Sequence, residues 1–435
     1  MRVSVFGLGY VGCVTAACLA EAGHDVIGVD INPEKAAMLN GGTPPVVEPG
    51  LGELMASSVR TGRLKATVRA GAAVAASDLA LICVGTPGDR HGKPEVSALE
   101  QVAREIGQAL RSRTDPYTVV VRSTVLPGTT ANVVLPALRT GLGRGRKPDV
   151  RLAFNPEFMR EGSSIRDFAS PPLTLVGCEQ DETAGVLQTL YRRVDAPLVR
   201  TTVATAEMVK YVCNAFHALK ICFANEVGDL CEALGADAQE VMRIFRMDRK
   251  LNISEAYLRP GFAFGGSCLP KDLRALLCAA RGVDLSTPVL SALLPSNEAQ
   301  IRHGVDAILE TRKRRIGVVG LSFKPGTDDL RESPMVTLVE TLVGKGCDVR
   351  ILDSNVSLSR LVGANRRYIE EEIPHIASLM CTEAAALIDH ADVLVIGNAS
   401  HDADEVRVAA RRHQIVIDLT RSTRLRHAAP AAAVA

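Results

Sequence analysis

The chain has 435 residues, 47% of them apolar, with 50 Lys and Arg against 49 Asp and Glu for a net charge of +1. That length exceeds what one hydrophobic core fills, so two or three domains are expected, and interspersed charge of near-zero sum leaves no electrostatic footprint for nucleic acid or an anionic membrane. The 11 cysteines show no Cys-x-x-Cys pair and no His-rich metal spacing, so they read as thiols of a cytoplasmic protein, with no disulfide framework and no metal site expected.

Arg2 to Phe6 forms a short β-branched strand, Gly7-Leu-Gly-Tyr-Val-Gly12 a turn, and Cys13 to Ala22 a helix stopped by Gly23; the strand Asp25 to Val29 then ends in Asp30. The uncharged run from Val3 to Ala20 has the hydropathy of a signal peptide. Its glycines instead fall where a strand turns into a helix, nothing resembles a cleavage site, and no other apolar stretch is long enough to span a bilayer. Strand, glycine turn, helix, strand and terminal carboxylate form a dinucleotide-binding fingerprint: the turn lets backbone approach a pyrophosphate at the helix N-terminus, and Asp30 meets the ribose hydroxyls. Asp30 repels a 2′-phosphate and Ile31 offers it no cation, so NAD is expected rather than NADP.

Two further strands run into small polar loops, Leu79-Ala-Leu-Ile-Cys-Val-Gly-Thr-Pro87 and Thr118-Val-Val-Val-Arg-Ser-Thr124. At the carboxyl ends of parallel strands, Thr86 and Thr124 either touch the cofactor or a reacting water, or merely begin turns. Phe154-Asn-Pro-Glu-Phe-Met-Arg-Glu161 follows another strand with Glu157 and Glu161 four residues apart. One can act on a proton or water while the other contacts a ligand; alternatively both are first-turn acids favoured by a helix dipole.

From Ala204 to about Leu234 the chain lacks proline and has helical periodicity. One face carries Lys210, Asn214, His217, Ile221 and Asn225, bordered by Met208, Val212, Phe216 and Phe223. This stripe is either a solvated face or the lining for a ligand; fifteen residues span roughly 22 Å, which suits an elongated one. Further on, Phe262-Ala-Phe-Gly-Gly-Ser-Cys-Leu-Pro-Lys-Asp272 sets Cys268 behind two glycines, which let a substrate carbon approach the sulfur, and ahead of Lys271 and Asp272, which can manage its proton. A nucleophilic thiol and a hydride acceptor in one chain point to an alcohol oxidised to an acid.

Past Arg312-Lys-Arg-Arg315, Ile316-Gly-Val-Val-Gly-Leu-Ser-Phe-Lys-Pro-Gly326 repeats the strand-into-glycine theme, and the strands near 393–397 and 415–418 echo those near 79–85 and 118–121. The fold class is therefore α/β: two Rossmann-like parallel-sheet domains joined by a central helical domain with one long helix. The boundaries read as 1–200, 201–300 and 301–435. The second turn lacks the full glycine triplet and carries Lys324, Asp328, Asp329, Arg331 and Glu332, which suits a different phosphate-bearing ligand.

Taken together, Gly7 to Gly12, Asn155-Pro-Glu-Phe158, Lys210-x-x-x-Asn214, Gly265 to Cys268 with Lys271-Asp272, and Ser322-Phe-Lys-Pro-Gly-Thr-Asp-Asp-Leu-Arg-Glu-Ser-Pro334 closely resemble the UDP-glucose/GDP-mannose dehydrogenase family over nearly the whole chain. Within it, Ala206 to His217 and Arg259 to Cys268 look most like the GDP-mannose branch, the UDP-glucose branch commonly having leucine at His217. Ala256 departs from that branch, which tends to have an aromatic there.

The resemblance implies an NAD-dependent four-electron oxidation of a nucleotide sugar at C6. GDP-mannose is the expected substrate, and UDP-glucose or a UDP-N-acetylhexosamine the alternative. Cys268 would attack the C6 aldehyde and pass through a thioester. Lys210 and Asn214 would stabilise oxyanion charge, Asp272 and Glu157 would handle protons and water, and Thr124 would lie near that water. Cofactor contacts fall on Gly7, Gly9, Tyr10, Val11, Gly12, Asp30, Lys35, Thr86, Thr124, Lys271 and Arg331. Substrate contacts fall on Glu161, Lys210, Asn214, His217, Asn225, Tyr257, Arg259, Phe262, Gly265 and Lys324. A homodimer or higher homo-oligomer through the central helices is implied, with no nucleic-acid or membrane partner. A two-electron β-hydroxyacid dehydrogenase would need neither Cys268 nor a second nucleotide fold, and a non-catalytic nucleotide-sugar sensor would have lost the nucleophile.

Overall fold

The computed structural model describes residues 1–89, 94–144, 148–254, 256–258, 261–266, 268–322, 330–354, 356 and 374–420. The chain divides into two compact units, Met1–Ala218 and Leu219–Ala435. In the first, eight strands form one sheet: β1 (Arg2–Phe6), β2 (Asp25–Val29), β3 (Leu64–Thr67), β4 (Leu79–Ile82), β5 (Tyr117–Val121), β6 (Val150–Phe154), β7 (Thr174–Gly177) and β8 (Leu198–Thr201). Their order is β3-β2-β1-β4-β5-β6-β7-β8. Every neighbouring pair is parallel except β6 with β7.

Both faces of this sheet are covered, which is why its strands read as unbroken apolar runs. Val3, Val5 and Val120 pack with Cys13, Val14 and Ala17 of the Tyr10–Glu21 helix on one face; Phe6, Val119 and Val121 pack with Leu99, Ala103 and Ile106 of the Ser97–Ala109 helix on the other. The strand order reverses between β1 and β4, opening a crevice at their carboxyl ends where α/β sheets bind ligands.

The first helix begins at Tyr10, with Gly9 as N-cap, rather than at the expected Cys13. Gly12 thus lies inside the helix, and a Cβ there would stand 1.8 Å from the Gly7 carbonyl oxygen. The glycine is required by close approach of helix to turn, not by turn conformation.

In the second unit a four-stranded sheet has the order β10-β9-β11-β12, from β9 (Arg315–Val319), β10 (Asp348–Leu352), β11 (Val393–Ile396) and β12 (Ile415–Asp418), all parallel. Ile316 and Val318 face one core layer and Val319 the other. The architecture is α/β with two Rossmann-like sheets, parallel apart from the β6–β7 pair of the first, as expected from the sequence pattern.

The long helix spans Val203–Ala233. Two buried carboxylates on it cap other helical runs. Glu207 accepts the Gly128 and Thr130 amides at 2.6 and 2.8 Å, at the start of the Thr130–Leu142 run. Glu226 accepts those of Val289 and Leu290 at 2.6 and 2.9 Å, in the first turn of the Pro288–Glu310 helix. Each satisfies amides that helix geometry leaves without a partner.

Candidate active site

At the end of β1 the chain turns on Gly7, whose φ of +93° disfavours an L side chain. The Gly7 amide donates to the Val29 carbonyl at 2.8 Å and the Leu8 amide to Asp30 Oδ2 at 2.7 Å. Asp30 Oδ1 accepts the Asn32 amide at 2.9 Å, and Lys35 Nζ lies 3.7 Å from Oδ2. The Asp30 carboxylate is thereby fixed in place. Gly9 faces open space, with nothing within 4 Å of a Cβ built there, while Tyr10 and Val11 open the helix behind it. A backbone cradle at a helix N-terminus with a fixed acid at the next strand end fits a dinucleotide's pyrophosphate and ribose. Thr86 Oγ1 donates to the Thr124 carbonyl at 2.6 Å, so these two loops are joined at the carboxyl edge of the sheet.

Lys210 and Glu157 form an ion pair, Nζ to Oε1 2.8 Å, with side chains only 8% and 10% exposed. The other oxygen of Glu157 accepts the Met159 amide at 2.7 Å, and Lys210 Nζ lies 5.7 Å from the Phe158 ring centroid. Gross attraction at this distance is about 6 kcal/mol at an effective dielectric near 20. Desolvation of both ions offsets much of it, so the pair is better suited to presenting charge than to stabilising the fold. Glu161 is exposed, as are Asn214, His217 and Asn225 further along the stripe. Their apolar neighbours are exposed too, Met208 at 49%, Val212 at 52% and Ile221 at 62%. This is not the composition of an ordinary solvated helix face.

Glu48 escaped the sequence reading. It is buried in the loop before the Leu51–Arg60 helix and accepts the Tyr10 hydroxyl, the Gly162 amide at 2.7 Å and the Ser164 amide at 2.8 Å. Burial raises the Glu48 carboxyl, but these donors together outweigh it and hold it down to about 2. One carboxylate therefore ties the cofactor turn to the loop carrying Glu161. The signal available was a lone acid in the apolar, Pro- and Gly-rich stretch Pro44 to Leu51.

In the second unit, Cys268 is exposed and caps the N-terminus of the Leu269–Gly282 helix, its carbonyl accepting the Asp272 amide at 2.9 Å. That helix end favours negative charge. Lys271 and Asp272 pair at 2.6 Å, both exposed. By contrast, burial pushes the thiols of Cys13, Cys18 and Cys83 up to about 12, which makes them inert. The backbone before Cys268 is fixed by the Pro288–Glu310 helix: Asn297 exchanges hydrogen bonds with both the amide and carbonyl of Phe264 at 2.8 Å, and Gln300 donates to the Gly261 carbonyl at 2.8 Å. Gly265 is buried, a Cβ there meeting the Glu332 carbonyl at 2.4 Å. Phe262 packs on Gly304, Tyr257 is exposed with a φ of +63°, and Arg331 is half-buried. Arg259 and Lys324 lie outside the described residues.

Against known proteins, models of the UDP-glucose/GDP-mannose dehydrogenase family match the chain in three parts: its NAD binding domain at residues 1–195, its central domain at 204–299 and its UDP binding domain at 317–424. The chain belongs to the UDP-glucose/GDP-mannose dehydrogenase family. It is 50% identical over 399 residues to the GDP-mannose 6-dehydrogenase of Pseudomonas savastanoi pv. phaseolicola, covering 92% of this chain and 91% of that one. To the enzyme of the same name from Azotobacter vinelandii it is 49% identical over 420 residues, 96% of each. The fold matches the 1.55 Å crystal structure of a ternary complex of GDP-mannose dehydrogenase from Pseudomonas aeruginosa with a TM-score of 0.93 at 47% identity, over 96% of both chains. Among the described residues no helix is long and apolar enough to cross a membrane.

Proposed function

We propose that this protein oxidises the C6 hydroxymethyl group of GDP-mannose to the carboxylate of GDP-mannuronate. One alcohol, two NAD cations and one water would give one carboxylate, two NADH and three protons. NAD, when bound, supplies the hydride acceptor for each of the two oxidations. The Cys268 sulfur adds to the C6 aldehyde as a thiohemiacetal; loss of the second hydride leaves a thioester, and water cleaves it to the acid and the thiol. Lys210 and Asn214 stabilise negative charge developing on the C6 oxygen, while Glu157 and Asp272 hold and move protons, with Thr124 near the hydrolytic water. The observation that carries the reading is an exposed cysteine at the head of its helix, in a chain that opens on a dinucleotide turn.

His217 and relatives named GDP-mannose 6-dehydrogenase at 49–50% identity support guanine and mannose. Ala256, where that branch tends to have an aromatic, departs from the guanine and mannose assignment but not from the chemistry, and a UDP-sugar is the second reading. The three family-model segments support a division near residues 200 and 300 into cofactor, helical and nucleotide-sugar domains. Exposed apolar side chains on the long helix support a homodimer through that helix. Cysteines that all remain thiols fit a cytoplasmic protein, and the product fits supply of an alginate-like polymer.

The test is NADH yield per mole of sugar nucleotide, with excess NAD and a panel of GDP-mannose, UDP-glucose and UDP-N-acetylmannosamine. Two NADH from GDP-mannose alone is expected; two from a UDP-sugar would overturn the substrate but not the chemistry. Cys268→Ser should bind NAD normally and form no acid, and full acid formation by that variant would sink the covalent route.

A further inference from the structure

β5 ends in an anomaly. After Val119, Val120 and Val121, all fully buried, Arg122 is itself only 6% exposed. Its side chain hydrogen-bonds no carboxylate among the described residues. Its Nη1 donates to Asn155 Oδ1 at 2.5 Å and to the Tyr191 hydroxyl at 3.1 Å, and Tyr191 donates in turn to the same Asn155 oxygen at 2.6 Å. The ring of Phe168 lies 5.8 Å from the guanidinium carbon, and the buried Nε has no partner among the described residues. A buried guanidinium with an unsatisfied donor is a costly way to fill a core, and an apolar side chain of similar volume would serve packing better.

What the cation does is converge two donors on one amide. The remaining groups of Asn155 are committed as well: its Nδ2 donates to the Leu175 carbonyl at 2.8 Å and its backbone amide to the Val121 carbonyl at 2.8 Å. Asn155 is thus held at three atoms. Pro156 follows with its ring-fixed φ, and Glu157, paired with Lys210, comes next. A small cavity is bordered by Arg122, Asn155, Glu157 and Tyr191 together, so the cation and the carboxylate flank the same space. From this geometry we infer that Arg122 is a positioning residue: it fixes Asn155 so that the rigid Asn155-Pro156-Glu157 step presents Glu157 to Lys210.

The inference rests on the reading of Lys210 and Glu157 as reacting groups, and the experiment separates the two. Full-length Arg122→Met, Arg122→Lys, Tyr191→Phe and Lys210→Ala would be compared by thermal melting and by kcat and KM for sugar nucleotide and NAD. Arg122→Met should lower kcat about tenfold or more, the scale of a misplaced proton-transfer group, with both KM values near wild type. Arg122→Lys, which retains the charge and a donor, should restore most of that loss. Where Arg122→Met fails to fold, Tyr191→Phe decides, with a fall in kcat at unchanged KM expected from loss of one donor to Asn155. Wild-type kcat in a folded Arg122→Met, beside an inactive Lys210→Ala, would overturn the positioning role alone. Wild-type kcat in Lys210→Ala would instead remove the reading on which it rests.

Discussion

Asp30 and Asp353 hold the same place in the two sheets. Each stands just past the second strand and accepts the amide of the buried leucine that follows a left-handed glycine: Leu8 to Asp30 Oδ2 at 2.7 Å, Leu321 to Asp353 Oδ2 at 2.8 Å. The glycine amides also match, Gly7 to Val29 at 2.8 Å and Gly320 to Leu352 at 2.9 Å. The two turns then diverge. Each of these glycines is closely packed, Gly7 by the Val84 backbone amide at 2.9 Å from where a Cβ would be and Gly320 by the Asn398 side chain at 2.4 Å; the first turn runs into its helix at Tyr10, whereas the next described helix after the second starts at Pro334. The same strand-turn-strand device therefore closes on backbone in one unit and on a side-chain amide in the other.

Within the first turn, two glycines of one motif differ in the space around them. Gly9 has a φ of −80° and open space where a Cβ would go, so Gly9→Ala should leave the melting temperature near wild type while weakening NAD, whose pyrophosphate would pass over it. Gly12→Ala would drive its Cβ into the Gly7 carbonyl and should cost about 1–3 kcal/mol of stability. Calorimetric NAD titration beside thermal melts tests both. Normal NAD affinity in Gly9→Ala would mean the pyrophosphate takes another course.

Glu48 should carry an acid-dependent share of stability. Its folded-state carboxyl is held at about 2 against an ordinary 4.5. The group therefore stabilises above pH 4.5, and that contribution is lost as pH falls from 4.5 through about 2. Glu48→Gln should melt lower than wild type at pH 7, with the gap narrowing below pH 4.5. A gap that stayed constant across this range would show that ionisation of Glu48 contributes nothing.

The buried Lys210–Glu157 pair should show strong non-additivity. Lys210→Met or Glu157→Gln alone strands a buried charge and should cost about 3–5 kcal/mol, whereas the double variant strands none and should be more stable than either single one. All three should lose turnover. Denaturant unfolding measures the first expectation and NADH production the second. Additive stability losses would mean that the two side chains are not coupled in solution.

The cofactor turn was legible because its determinants are local: a glycine with positive φ, a helix start and an acid at the next strand end lie within thirty residues. The same holds for the long helix, whose periodicity runs through Val203–Ala233. The helix start at Tyr10 is not legible in the sequence, because Gly12 there has the spacing of a turn residue, whereas the fold uses it for contact with the Gly7 carbonyl.

Sequence alone determined the α/β class and the repeated strand-turn-strand theme, since side-chain period, glycine placement and charge are properties of neighbouring residues. Only the tertiary structure decided which polar groups are paired. That Lys210 meets Glu157 across 53 residues of chain, that Glu48 joins Tyr10 to the Gly162 loop, and that Arg122 spends its donors on Asn155 and Tyr191 all depend on which strand ends lie side by side. The physical reason is burial: a polar group withdrawn from water must find its partner wherever the sheet order brings one, and no local pattern records that distance.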